Sequence, residues 1–487
     1  MPRTALRLLV GALAIGGSLA WLGAPAASQT AGGTWTLLVA NIDSGDVTPV
    51  DLGTNAAQAA IATDSGAAAI AITPDAATAY VANALSTTVT PIDIASGTAG
   101  DPIDVNNSPT GIAITPDGAF AFVVNGGSNN VTVLDIATNT KVTDIAVGLE
   151  PTAVAITPDG GAAYVTNGNS NDVTPIDVAT RVAGAPIPVG AGPSAIAVTP
   201  DGTAAYVTNA EGLSVTRIDL GAGTAGTAIA VENSPVAVAI TPDGATAYVA
   251  NLISNSITPI DIATNTADAP IRLTTQGPSA IAITPDGVTA YITNLGSDNV
   301  LPLTLATRTA GSPIPAGNGP TAAVITPDQA PVAALSVTAG RPGTETSFDA
   351  SASTVRFGTI ASYAWSFGDG ATLTTTTPTA THVYASAGTY TATVTETSSG
   401  GTSVARVYTG QTMIRSGGPQ AAATVDVVVT EALAGGAPTT STTTTNPRRP
   451  FGTLPATGAG PGTALLLPAF LLLAIGVAAV ARARRST

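Results

Sequence analysis

The tripeptide Thr-Pro-Asp begins at Thr73, Thr115, Thr157, Thr199, Thr241, Thr284 and Thr326, at steps of 42, 42, 42, 42, 43 and 42 residues. A fixed period of this length marks a chain built from one repeated supersecondary unit, as in a propeller or a solenoid. In the unit from Ser194 the pieces "AIAVT", "AAYVTN", "SVTRIDL" and "TAIAV" are short, alternating or β-branched, and bounded by Gly, Pro, Asn or Asp. That pattern predicts strands and turns, and no stretch of helical period competes. Four short antiparallel strands in about 42 residues make a propeller blade.

Counting each piece separately gives the number of blades. The "YVTN" position closes at Asn41, Asn83, Asn125, Asn167, Asn209, Asn251 and Asn294, and the "VTPID" strand begins at Val47, Val89, Val131, Val173, Val215, Ile257 and Val300. The Thr-Pro-Asp strand also occurs seven times, but its first copy follows the first "VAN" and its last copy stands alone. The chain therefore enters mid-blade at "TWTLLVAN" and leaves with "TAAVITPD". The fold class expected is all-β: a seven-bladed β-propeller over residues 33–328, its ring closed by N- and C-terminal strands in one blade, followed by a smaller β-sandwich. Closure of this kind removes an open sheet edge.

These residues resemble the YVTN-type seven-bladed β-propellers of bacterial and archaeal surface proteins. The resemblance implies the fold and says little about activity, because propellers host many unrelated ones. Read physically, the motif is a folding device. In TPDG, exemplified by Asp159, proline presets φ while aspartate and glycine favour a tight turn. Tyr80, Tyr164, Tyr206, Tyr248 and Tyr291 are expected between neighbouring blades, with Phe122 and Leu38 in the other two. The Asn that follows, such as Asn167, is expected to bond to backbone at a strand end.

Residues 33–328 hold 25 Asp+Glu against 5 Lys+Arg, whereas the chain from there to Thr457 holds 6 of each. The acidity thus belongs to the propeller and excludes nucleic acid as a partner, since phosphate recognition needs a basic surface. Thirteen carboxylates are repeat-bound: the seven of Thr-Pro-Asp and Asp51, Asp93, Asp135, Asp177, Asp219 and Asp261 of the "ID" position. Asp/Asn-rich loops such as Asn167–Asp172 are candidate calcium ligands, but none has the D-x-D-x-D-G spacing of a dedicated site, so no metal or other cofactor is assigned. With 0 cysteines there is no disulfide, thiol nucleophile or thiolate metal site.

After Asp328 the repeat stops. The run Trp365, Phe367, Gly368, Asp369, Gly370, with Tyr384, Gly388 and Tyr390 in "HVY" and "GTYTATV", and Phe348–Ser353 upstream, resembles a PKD domain. The resemblance implies an immunoglobulin-like β-sandwich over residues 329–432, with Trp365 and Tyr384 in its core and Asp369 holding a turn. Alternation and turn spacing agree. Residues 433–453 are Thr/Pro-rich and read as a stalk.

The ends point outside the cell. Arg3 and Arg7, the apolar run Leu8–Leu22 and Ala24-Pro25-Ala26 predict a signal peptide over residues 1–26. At the other end stand "LPATG" (454–458), an uncharged apolar stretch (463–481) and a basic tail (482–487). This order resembles a Gram-positive sortase substrate. The resemblance implies recognition of Leu454, Pro455, Thr457 and Gly458 by sortase, cleavage after Thr457, and linkage of Thr457 to peptidoglycan, with the membrane met only through the sorting segment.

The expected function is a non-enzymatic, wall-anchored surface protein. The propeller would mediate adhesion or recognition of an extracellular glycan or protein, with the sandwich as spacer. Two alternatives are an extracellular lactonase- or lyase-like propeller enzyme and a passive wall coat. Against catalysis, the lone histidine, His382, lies in the sandwich, lysine occurs once (Lys141), and the propeller glutamates Glu150, Glu211 and Glu232 all fall in loops. Carboxylates alone still permit acid–base chemistry.

Overall fold

The computed structural model describes residues 34–404, 407, 408 and 415–431. Residues 36–325 form seven antiparallel sheets, one per blade, each running from an inner strand A to an outer strand D. Blade 1 pairs strand A Pro320–Ile325 with B Thr36–Asn41, then C Asp46–Asp51 and D pieces Ala56–Ala57 and Ile61–Ala62. Blades 2 to 7 follow in chain order, starting at A strands Ala67–Ile72, Pro109–Ile114, Pro151–Ile156, Pro193–Val198, Pro235–Ile240 and Pro278–Ile283. Each A strand contacts the next, and blade 7 meets blade 1, so the ring is closed. Closure is hydrogen-bonded as well: Leu37 to Asn41 register against Ile325 to Pro320, and the Thr36 amide donates to Thr326 Oγ1 at 3.0 Å.

One position of strand C tracks the form of each outer strand. In blades 1, 2, 4, 6 and 7 the fourth position of strand C is Pro49, Pro91, Pro175, Pro259 or Pro302, and strand D is broken into two two-residue pieces. Proline has no N–H for the ladder, so strand D cannot pair across it. It bulges instead, its chain returning an N–H to the proline carbonyl, as Gly184 does to Pro175 at 2.7 Å. In blades 3 and 5 that position is Val133 or Arg217, and strand D runs unbroken over Thr140–Ala146 and Thr224–Ala230.

The inter-blade core is built from small and β-branched side chains with one larger group per blade. Tyr80, Phe122, Tyr164 and Tyr206 lie buried at the centre of B strands and pack into clusters shared with the following blade. Burial of the tyrosine rings pushes the Tyr80 and Tyr291 hydroxyls up to about 12.

The second domain is a sandwich. A sheet of Ser336–Thr338, Glu345–Asp349 and Thr379–Val383 faces one of Thr372–Thr375, Ile360–Ser366, Gly388–Ser398 and Ala422–Val429. Between them lie Phe348, Tyr363, Trp365, Phe367 and Tyr384 with a valine layer.

The two domains interlock on the propeller face formed by the A–B and C–D turns, called here the bottom. Phe357 of the sandwich is fully buried among Leu38, Ile72, Ala76 and Val324 of blades 1 and 2. Arg356 Nη1 donates to the Asp75 carbonyl at 2.6 Å, and Gln329 Nε2 to the Pro74 carbonyl at 3.0 Å. Asp328, the last of the seven Thr-Pro-Asp aspartates, is fully buried and accepts from Ser398 Oγ at 2.5 Å. A Cβ on Gly400 would fall 2.6 Å from the Asp328 carboxyl carbon, so only glycine admits that close approach.

Candidate functional site

The A strands line the central channel. Their sequences, from PTAAVI in blade 1 to PSAIAI in blade 7, contain no ionisable side chain. What they contribute is a belt of hydroxyls. Thr110, Thr152, Ser194, Ser279 and Thr321 each donate across to the first carbonyl of the next A strand, those of Pro151, Pro193, Pro235, Pro320 and Ala67. Ala68 and Val236 hold the equivalent places in blades 2 and 6 and leave two gaps. With its hydroxyls already bonded to carbonyls, the belt ties blades together and offers no general acid or base.

Around the channel, the B–C and D–A loops form the top face. Under them lies a ring of seven fully buried asparagines. Asn167 Nδ2 donates to Asp172 Oδ1 at 2.6 Å and Thr174 Oγ1 at 2.8 Å, five and seven residues on. The same pair of bonds recurs at Asn41, Asn83, Asn125, Asn209 and Asn251. The main partners are thus side chains of the neighbouring strand, more than the backbone expected from sequence. A Cβ on Gly148 would meet the Asn167 side chain at 2.6 Å, so the loop lies directly on the ring.

The top loops are acidic. Asp43, Asp64, Glu150, Glu211, Glu232 and Asp298 all stand in them. Glu232 accepts a bidentate pair from Arg272, at 2.8 and 2.5 Å, and a hydrogen bond from Ser256. Glu150 sits at φ 49, its amide bonded to Asn129 Oδ1 of the preceding blade at 2.8 Å. The three glutamates belong to different loops, and the structure does not assemble them into a pair. In the calcium-candidate loop, Asp172 is bonded to Asn167, and Asn171 Oδ1 accepts the Gly192 amide at 2.8 Å. Among the described residues no three His, Cys, Asp or Glu side chains come together as a metal site. Exposed large apolar side chains also gather here: Leu85, Leu149, Leu213 and Ile253.

On the bottom face the repeated aspartates hold turns. Thr157 Oγ1 and the Gly161 amide donate to Asp159 Oδ1 at 2.6 and 2.9 Å, and Thr157 Oγ1 also receives the Ala162 amide at 3.0 Å. Asp177 accepts from the amide and hydroxyl of Thr180, both at 2.7 Å, and these bonds hold its carboxyl below the usual range. Tyr164 is buried at the blade 4–5 contact, and burial raises its hydroxyl. Three blade contacts are completed by an asparagine at the left-handed position of the next blade's C–D turn. Tyr80, Tyr206 and Tyr291 donate to Asn139, Asn265 and Asn55 of the next blade at 2.6, 2.6 and 2.9 Å. Sequence reading did not single out those asparagines, because the turn position they share carries Gly97, Arg181, Gly223 or Arg308 in the other four blades.

In the sandwich, Trp365 is buried and its Nε1 donates to Thr375 Oγ1 at 2.9 Å, which fixes the ring in the core. Asp369 accepts the Ala371 amide at 3.0 Å and pairs with His382 Nε2 at 2.7 Å, which holds the Asp369 carboxyl down against partial burial. His382 stacks on Phe367 with centroids 4.3 Å apart. Tyr384, its hydroxyl bonded to the Phe367 carbonyl at 2.8 Å, is pushed up to about 12 by burial. Leu454, Pro455, Thr457 and Gly458, with the leader, stalk and apolar segment, lie outside the described residues. Among the described residues no helix is long and apolar enough to cross a membrane.

Comparison with known proteins agrees with this architecture. Residues 53–183 match the family model "Lactonase, 7-bladed beta-propeller", and residues 328–412 match "PKD domain". No curated protein matches the chain. Among solved structures, it is similar to a functionally unknown protein from Desulfotomaculum acetoxidans at 19% identity and TM-score 0.55, over 60% of this chain and 99% of the other. It is also similar to the periplasmic gluconolactonase of Pseudomonas aeruginosa at 18% identity and TM-score 0.53, with the same coverage. At these identities the likeness carries the fold alone.

Proposed function

We propose that this chain is a secreted, cell-wall-anchored surface protein that recognises an extracellular glycan or protein through the top face of its propeller. The sandwich acts as spacer, and Thr457 carries the linkage to peptidoglycan after sortase acts on Leu454–Gly458. The observation behind this reading is the placement of the sandwich. It occupies the bottom face at blades 1 and 2 through Phe357, Arg356 and Asp328. The chain thus leaves toward its C-terminus from the bottom, and the top stays open. There, four exposed apolar side chains stand among carboxylates, a mixture suited to polar contacts around a few apolar anchors. Many copies anchored to one wall strengthen individually weak contacts.

The test immobilises the piece from Ala27 to Thr453 and measures binding to purified cell-wall glycan and to matrix glycoproteins, with calcium and with chelator. Saturable binding that is lost on Leu85→Ser and Ile253→Ser supports the proposal. Binding that survives both changes removes the top face from it. No binding to any of the targets leaves the passive wall coat as the better account.

The match of residues 53–183 to the lactonase family model supports a second reading, hydrolysis of a lactone or related ester. The A strands' lack of ionisable groups weighs against placing it in the channel. Turnover of a lactone panel that exceeds the buffer rate, and vanishes on heat denaturation, would favour it.

A further inference from the structure

Arg217 departs from the repeat. Strand C carries proline at its fourth position in five blades and Val133 in a sixth, whereas blade 5 carries a guanidinium there. It faces Tyr206 across the ladder, and a cavity of about 310 Å³ opens beside it at the bottom of the blade 5–6 contact. Asp201, Asp243, Asn265, Ile262 and Pro200 complete the part of the wall that bears on binding.

Two of these groups have capacity left over. A guanidinium has more N–H donors than the Tyr206 hydroxyl beside it can accept, and the Asp219 carboxylate, 3.9 Å away, is an ion-pair partner beyond hydrogen-bond reach. Asp243 Oδ1 takes the Thr241 hydroxyl at 2.5 Å and the Ala245 amide at 3.0 Å, while its Oδ2 accepts no hydrogen bond among the described residues. Asp201 differs, because its two oxygens are already bonded to Thr199 and Thr203. A donor-rich cation and an acceptor-rich anion thus stand in one cavity, with Ile262 as an apolar side.

We propose that this cavity binds a small zwitterion, an amino acid or dipeptide, with its carboxylate on Arg217 and its ammonium on Asp243 Oδ2. The charge count selects this class. Asp201, Asp219 and Asp243 outnumber Arg217, which repels a net anion such as an acidic sugar. A plain amine would leave the guanidinium's remaining donors without an acceptor, and planar carboxylates suit its fork. A volume of about 310 Å³ suits a ligand of this size. The site is independent of the top-face reading and lies on the opposite side of the ring.

The full chain is titrated with L-alanine and L-alanyl-L-alanine, followed by calorimetry, beside N-acetyl-L-alanine, L-alanine methyl ester and glucose. The zwitterions should saturate the site, and either cap should weaken binding about tenfold or more. Arg217→Val introduces the residue that blade 3 carries at the same place, so the blade keeps a proven solution. It should weaken the zwitterions about tenfold and leave the methyl ester unchanged. Asp243→Asn, which retains the turn-forming Oδ1, should weaken the zwitterions and spare the N-acetyl compound. Arg308→Ala, at the next blade contact, should change nothing. The proposal is overturned by glucose binding alone, by equal binding of capped and uncapped probes, by unchanged affinity in Arg217→Val, or by no saturation below about 10 mM.

Discussion

The propeller and the sandwich reach stability by opposite routes. In the propeller each device is modest and is repeated around the ring: an asparagine under each top loop, an aspartate in each turn, a hydroxyl bonded to the next carbonyl. In the sandwich one dense cluster does the work, with Tyr363, Trp365, Phe348, Phe367, His382, Tyr384 and Tyr390 joined in that order by successive ring contacts. Repetition spreads the consequence of any one loss, whereas concentration makes single residues decisive. A blade that departs from the pattern, as blade 5 does at Arg217, still folds, and that tolerance leaves room for new chemistry.

The largest test of the contrast is Trp365→Ala. Removing this buried ring should cost the sandwich about 3–5 kcal/mol, read by chemical denaturation, and leave the propeller's transition in place. A loss below about 1 kcal/mol would contradict the concentrated core.

Next in size is an effect of pH. Glu396 is fully buried, its Oε1 accepts from Ser353 at 2.5 Å, and desolvation pushes its carboxyl up to about 7 from an ordinary 4.5. The folded state holds the proton more tightly than the unfolded chain does. Its contribution is therefore neutral below pH 4.5 and becomes destabilising as pH rises toward about 7. At pH 8 the penalty approaches about 3 kcal/mol. Glu396→Gln should flatten the sandwich's melting temperature over that window, and an unchanged slope would assign the proton elsewhere. Burial raises Asp328 in the same direction, so the domain junction adds to the slope.

These two carboxylates show where sequence reading stopped. Asp328 stands in the same tripeptide as six turn aspartates, and Gln329 in place of the usual glycine does not reveal what becomes of it. Its difference arises because Ser398 and Gly400, some seventy residues later, close over it. Phe357 likewise looks like an ordinary apolar residue until blades 1 and 2 are seen to receive it. By contrast, blade number and ring closure were legible because period and turn chemistry are local and occur many times. The broken outer strands were legible in principle from Pro49, Pro91, Pro175, Pro259 and Pro302. The cavity beside Arg217 was not, since it needs two blades side by side.

A smaller effect separates two chemically equal tyrosines. Tyr206 donates to Asn265 of the next blade, whereas the C–D turn of the blade after Tyr164's own offers Gly223 at the same place. Tyr206→Phe should cost about 0.5–1.5 kcal/mol and Tyr164→Phe close to nothing. Equal costs would mean that the inter-blade asparagines contribute no net stability.

The smallest energetic change is structural. Pro49→Val gives blade 1, whose outer strand carries no proline of its own, the residue of blade 3, and that strand should become continuous. Amide exchange at residues 59 and 60 should slow, because an N–H is restored to the ladder. If exchange there is unaltered, proline is not what divides strand D.

The most direct measurement concerns the face presented to the outside. With 0 cysteines in the chain, each single substitution introduces a unique thiol. Ile253→Cys marks the top and Val288→Cys the bottom, at positions of similar exposure, 54% and 52%. Intact cells displaying the full chain are treated with a bulky, membrane-impermeant maleimide. Labelling at residue 253 about tenfold faster than at 288 is the result this account predicts. Equal rates, or faster labelling at 288, would contradict a propeller held by its bottom face with the top turned outward.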